Sequence, residues 1–160
     1  MRKVLLLLPA LMFALGIYSR AADRNSEELL SFISLTTPTV TQQKVTRMLG
    51  TPARIEESKR RIWWHYNHGA TNLVISWNKK SELPEKFSFT STPAVKPAFN
   101  KALPMKLKSG KTDINQALKI LGTPHDMTIR ASKQEMHYNY ENKVLRLFFR
   151  DRMLVDFCLY

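Results

Sequence analysis

The chain has 160 residues, 25 of them Lys or Arg and 13 Asp or Glu, for a formal net charge of +12 at pH 7. With 44% hydrophobic residues it can bury a core, so it is not a disordered tail, and its single cysteine, Cys158, excludes any intrachain disulfide. The positive excess favours acidic partners: an anionic protein face, lipid headgroups or a polyanion.

The first residues read as an export signal. Arg2 and Lys3 make a basic start, Val4 to Ile17 an apolar run, and Ser19-Arg20-Ala21 a small-x-small cleavage pattern. The run is shorter than the roughly 20 apolar residues of a membrane-spanning helix, which disfavours the alternative of an uncleaved anchor. Cleavage after Ala21 leaves 139 residues with a net charge of +9 and no transmembrane segment. An exported, periplasmic or secreted protein is a poor partner for nucleic acid.

Residues 26–35 predict a short first helix. Ser26 is its cap, Glu27 and Glu28 suit the helix dipole, and Leu29, Leu30, Phe32 and Ile33 form its apolar side. A second helix is predicted over about 40–49, with Thr39 and Gln42 as a capping box and Val45, Met48 and Leu49 at helical spacing. Leu49-Gly50-Thr51-Pro52 then closes it: a last core leucine, a glycine in the left-handed conformation, and a proline that prevents a restart.

Alternating strands follow. Ile62, Trp64 and Tyr66 share one face, then Leu73, Ile75 and Trp77, then Phe87 and Phe89. Arg54 to Glu57 offers a short additional strand. Residues 91–104 carry three prolines and predict a stiff linker, in which Phe99 and Leu103 can dock a short helix.

The same order then recurs. Leu121-Gly122-Thr123-Pro124 repeats the helix stop 72 positions later, after a helix that follows Thr112 and turns Ile114, Ala117, Leu118 and Leu121 inward. At that offset His65-Tyr66-Asn67 matches His137-Tyr138-Asn139, and Leu73 matches Leu145. Met136, Tyr138 and Tyr140 form one predicted strand face, Leu145, Leu147 and Phe149 the next, and Val155, Phe157 and Leu159 the last; Met127 to Ile129 offers an additional strand. Near the end the phase slips by two residues, so that Phe87 and Phe89 match Phe157 and Leu159. The expected fold is α+β: two tandem modules, residues 22–90 and 105–160, each with one or two short helices packed on a three- to four-stranded antiparallel sheet. The helices cover one sheet face and leave the other partly open.

Lys108-Ser109-Gly110-Lys111-Thr112, Ile114, Leu118 and Leu121-Gly122-Thr123-Pro124, with the Trp64-His65-Tyr66 strand, resemble the SmpA/OmlA module of BamE-like outer-membrane assembly lipoproteins. Two such modules in tandem are similar to the repeat fold of the beta-lactamase inhibitory protein. The resemblance implies a protein-binding scaffold of the cell envelope, or an inhibitor of a secreted or periplasmic enzyme. Two features depart from it. No cysteine follows Ser19-Arg20-Ala21-Ala22, so lipid anchoring through a signal-proximal cysteine is not expected, and the inhibitory protein's disulfides have no counterpart.

No catalytic constellation is evident: no glycine-rich phosphate loop, no serine elbow, no cysteine with a catalytic neighbour. The chain is read as non-enzymatic, without cofactor or metal. His65 and His68 are three apart on a strand and so point to opposite faces. Cys158, between Phe157 and Leu159, reads as an inert apolar thiol, with an interchain disulfide as its alternative. The expected binding surface is the stretch Lys59 to Tyr66, with Arg60, Arg61, Trp63 and His65 on the open side, extended by Arg146 and Phe148. Trp63 is either an exposed anchor or buried by the neighbouring module. Direct binding of an anionic envelope polymer or lipid by the basic surface is a third reading.

Overall fold

The computed structural model describes residues 29, 32–36, 39–68, 70–91 and 98–160. The expected signal segment, much of the first expected helix and residues 92–97 of the expected linker lie outside them. In chain order the elements are α1 (residues 29 and 32–35 are helical), α2 (Gln42–Leu49), β1 (Arg54–Glu57), β2 (Arg61–His68), β3 (Thr71–Asn78) and β4 (Pro84–Ser91). A 3-10 turn at Pro104–Lys106 leads to α3 (Ile114–Leu121), β5 (Asp126–Arg130), β6 (Lys133–Asn139), β7 (Val144–Arg150) and β8 (Met153–Leu159).

The strands form one antiparallel sheet of eight in the order β1 to β8. The expectation of separate three- to four-stranded sheets is therefore corrected. Strand β4 pairs with β5, setting Phe87 against Ile129 and Phe89 against Met127. Joining there removes two open edges, each of which would expose unpaired backbone groups.

Both helices end as their sequences dictate. Gly50 and Gly122 have nearly the same backbone, φ 79°, ψ −162° and φ 79°, ψ −161°, and their N–H groups donate to Thr46 O and Leu118 O. The positive φ is as expected, but ψ lies outside the left-handed helical basin, in a region open essentially to glycine alone. A side chain there would meet nothing within 4 Å, so the requirement is conformational rather than steric. The starts differ from expectation. Thr41, not Thr39, caps α2 by accepting from Lys44 N–H, because the helix begins two residues later than expected. For α3 the cap is Asp113, with Gln116 completing a full capping box. Val45 is buried and Leu49 packs against the core, but Met48 is 48% exposed, because the eight-residue helix presents only a narrow stripe to the sheet.

One apolar cluster unites the helices with one sheet face. It runs from Phe32, Ile33 and Val45 over Tyr66, Ile75, Trp77, Phe87 and Phe89 to Ile114, Leu118, Met136, Leu147 and Phe149. Phe32 meets Phe87 edge-on at 5.9 Å, and Phe99 meets Tyr140 edge-on at 5.1 Å.

The 72-residue offset is geometric as well as textual. Helix α3 begins and ends 72 positions after α2, and β5 and β6 begin 72 positions after β1 and β2. A register shift between Ser76 and Trp77 recurs between Phe148 and Phe149. In each case the neighbouring strand carries one extra residue, Glu85 in β4 and Val155 in β8. The shift overturns the reading of Val155 as core. Leu154 opposes Phe149 and is fully buried, and Val155 is the bulged residue and is 47% exposed. Phe157 and Leu159 oppose the core residues Leu147 and Leu145 but, on the last strand of the sheet, are themselves 37% and 43% exposed and not the core residues expected. The two-residue phase slip arises one turn earlier. Six residues separate the partners Trp77 and Pro84, whereas four separate Phe149 and Leu154. The shorter hairpin turns at Asp151 and Arg152, both with positive φ, the geometry of the tightest hairpins.

Candidate functional site: the uncovered sheet face

Side chains alternate across a strand, so the residues between the core-facing ones share the opposite face. No described helix covers that face. The register runs a row across all eight strands: Arg54, His65, Val74, Ser88, Thr128, Glu135, Phe148 and Asp156. A parallel row carries Asn67, Asn72, Thr90, Asp126, His137, Arg146 and Cys158. Trp63, Val74 and Phe148 are only half-buried there.

At the β1–β3 end, charges are paired. Arg54 meets Glu56 at 2.6 Å, Lys79 meets Glu57 at 2.5 Å, and Arg61 Nε donates to Glu85 Oε2 at 2.5 Å. Glu85 also accepts from Asn78 Nδ2 at 2.8 Å. The Asn78 hydrogen bond, followed by Arg61, holds the Glu85 carboxyl below its ordinary range. His65 lies 3.7 Å from Glu56, too far for a hydrogen bond, and its buried Nε2 has no partner.

At the β6–β8 end, His137 Nε2 lies 2.6 Å from Glu135 Oε1. Arg146 Cζ sits 5.5 Å from the centre of the Tyr160 ring, and its buried Nε is unpartnered. Cys158 is a free thiol that donates to Tyr160 Oη at 3.3 Å. Next to Glu135, which is part of its lining, lies a depression of about 370 Å³ formed by Thr128, Arg130, Lys133, Phe148, Arg150 and Val155.

Of the expected site residues, Arg61, Trp63 and His65 lie on the uncovered face of β2, and Arg146 and Phe148 on the same face of β7. The structure does not bring them into one patch. Five strand-to-strand steps separate the groups, roughly 24 Å at the usual spacing. Arg60 sits in the β1–β2 turn, where its carbonyl accepts from Lys79 N–H. Trp63 is half-buried. Sequence reading missed the row of cations Lys86, Arg130, Lys133 and Arg150, and the bulged Glu85. Their signal was only parity: each cation adjoins a core residue, Phe87, Ile129, Gln134 or Phe149.

Among the described residues no group of three or more His, Cys, Asp or Glu is placed to hold a metal ion. No described helix is long and apolar enough to cross a membrane.

No family model matches the chain, and no curated protein matches it in sequence. Its fold is similar to the crystal structure of a candidate beta-lactamase inhibitor protein from Streptococcus mutans. That match has a TM-score of 0.52 at 13% identity and covers 82% of this chain and 93% of that one. A DUF4309 family protein, YjgB of Bacillus subtilis, matches at 17% identity over 78% of this chain and 80% of that one, with a TM-score of 0.30, too low to bear on the fold.

Proposed function

We propose that this chain is an exported, non-enzymatic protein-binding scaffold that docks a partner protein on the uncovered sheet face. In this reading it comprises two tandem SmpA/OmlA-like modules, residues 22–90 and 105–160, fused through β4 and β5. The observation that carries it is the face itself. Eight strands present one continuous surface with no described element over it, with half-buried aromatic residues, Trp63 and Phe148, beside cations at both ends. Aromatic and arginine side chains are the usual anchors of protein interfaces. An excess of basic residues suits an acidic partner surface.

A second reading has a specific support: the neighbour of similar fold bears the name of a beta-lactamase inhibitor protein. Inhibition of a secreted or periplasmic enzyme is one form of protein binding and uses the same face.

The test is affinity capture from envelope and secreted fractions with the immobilised protein, residues 22–160, at low and high salt, beside Trp63→Ala. The expected result is a protein retained at high salt and weakened by Trp63→Ala by about 2 kcal/mol or more. Loss of a measured enzyme activity on adding the protein would favour inhibition. Capture of polymer or lipid alone, released by salt, would replace the scaffold with a charge-driven binder.

A further inference from the structure

The two register bulges occupy equivalent places but carry opposite chemistry. In β4 the bulged residue is Glu85, whose carboxylate joins Arg61 and Asn78. Arg61 and Asn78 are cross-strand partners, and their counterparts 72 residues on, Lys133 and Arg150, are cross-strand partners too. There the bulged residue is Val155. Where the first half places one cation, one amide and a carboxylate, the second places two cations and no carboxylate.

More cations extend this row. Arg130 directly opposes Lys133 on β5 and β6. Lys86 precedes Phe87, whose partner Ile129 precedes Arg130, so Lys86 continues the row on β4. Like charges set directly opposite one another on a sheet are destabilising. Yet none of Lys86, Arg130, Lys133 and Arg150 forms an ion pair with any described residue. The nearby carboxylates are engaged elsewhere: Glu135 with His137, and Asp156 with the Phe157 N–H. Three of the cations line the depression beside Phe148, Val155 forms part of its wall, and Glu135, already bound to His137, is the one carboxylate at its edge. Against three cations the hollow sets only Glu135, which His137 engages, and at the bulge where the other half holds Glu85 the row has no counter-anion.

We infer that this hollow is a carboxylate-binding site for an acidic peptide segment of the partner protein, whose carboxylate takes the position that Glu85 holds in the first half. Arg130, Lys133 and Arg150 bind the charge, Thr128 offers a hydroxyl donor, and Phe148 and Val155 accept the methylene stem of a glutamate. The inference rests on the protein-binding reading but assigns chemistry to the end of the face remote from Trp63.

The probe is a fluorescein-labelled hexaglutamate peptide titrated into the purified protein, with binding read by anisotropy. Saturable binding is expected, weakened about tenfold by Lys133→Ala and by Val155→Glu. Val155→Glu installs an internal carboxylate that competes with the peptide, and it should raise the thermal midpoint by relieving the repulsion, which also reports that the variant is folded. Met105→Glu adds the same charge at a residue 82% exposed on the 3-10 turn and should leave binding within about twofold of the unsubstituted protein. No saturable binding, or equal weakening by Met105→Glu and Val155→Glu, would overturn the site. Full displacement of the peptide by an equal concentration of inorganic phosphate would overturn the peptide assignment in favour of a small-anion site. Trp63→Ala should leave hexaglutamate binding unchanged. If the unsubstituted protein captures no partner while the peptide still binds, the scaffold alone falls; if it captures a partner while the peptide does not bind, this site alone falls.

Discussion

In the first half of the sheet three cations are each paired with a glutamate, and in the second half three cations are not. Arg54, Arg61 and Lys79 each have a glutamate within 2.6 Å, whereas Arg130, Lys133 and Arg150 have none among the described residues. The backbones share the bulge and the helix-closing glycine and differ in the length of the last hairpin, so the contrast in charge pairing lies in the side chains set on that common frame. A repeated fold that keeps its frame and changes its charges points to one half that is complete in itself and one half left open to a ligand.

The comparison assumes that the halves are one cooperative body, and the seam tests this most severely. Phe89 is 1% exposed and opposes Met127 across β4 and β5. Phe89→Ala should cost about 3–5 kcal/mol through lost burial and the cavity left behind. Urea unfolding followed by tryptophan fluorescence and by far-UV circular dichroism should then shift as one coincident transition. All three tryptophans, Trp63, Trp64 and Trp77, lie in the first half, so two separated transitions would show the halves to be independent.

A smaller test concerns the tyrosines that match at the 72-residue offset. Tyr138 Oη donates to Gly122 O at 3.1 Å, tying β6 to the glycine that closes α3. Burial pushes the Tyr138 pKa well up, so the hydroxyl stays protonated and able to donate. Tyr66 is equally buried, with its pKa pushed up to about 12, but its hydroxyl has no partner. Tyr138→Phe should therefore lower stability by about 1 kcal/mol, while Tyr66→Phe should be neutral or slightly stabilising. Equal losses in denaturant melts would show that Tyr66 has a partner, such as an ordered water, and that the halves match here too.

How much of this was legible depends on where the determinants lie along the chain. Gly50 and Gly122 are visible because a single backbone angle restricts the residue at one position, and the surrounding leucine and proline mark the helix end. The alternation of core residues is visible for the same local reason. It fails at Val155, where an extra residue breaks the period of two and only the register reveals it. The two-residue slip near the end does not mark the bulge, which both halves carry; its cause is hairpin length rather than strand content. The cationic row was not legible. Lys86 and Arg150 are 64 positions apart, and four strands must pair in register before they become neighbours. The separation of Trp63 from Phe148 was hidden for the same reason, because parity gives the face of a residue but not its distance across the sheet.

The smallest effect sharpens the charge comparison directly. Glu85 is the carboxylate that stands where the second half has Val155, and its pKa is held below the ordinary glutamate value by the Asn78 hydrogen bond first and Arg61 second. A depressed carboxyl binds its proton more weakly in the folded chain than in the unfolded one. Its stabilising contribution is therefore complete above the ordinary glutamate value and is lost as pH falls through the lower folded value. Glu85→Gln should lower stability at pH 7 by about 0.5 kcal/mol, since the pair is partly solvated, and the deficit should shrink to nothing in acid below the folded pKa. Melts of both proteins across that range read the difference. A deficit that persists unchanged in acid would mean that the bulge depends on the shape of residue 85 rather than its charge. Val155 would then no longer mark a missing carboxylate, and the contrast between the two halves would reduce to packing.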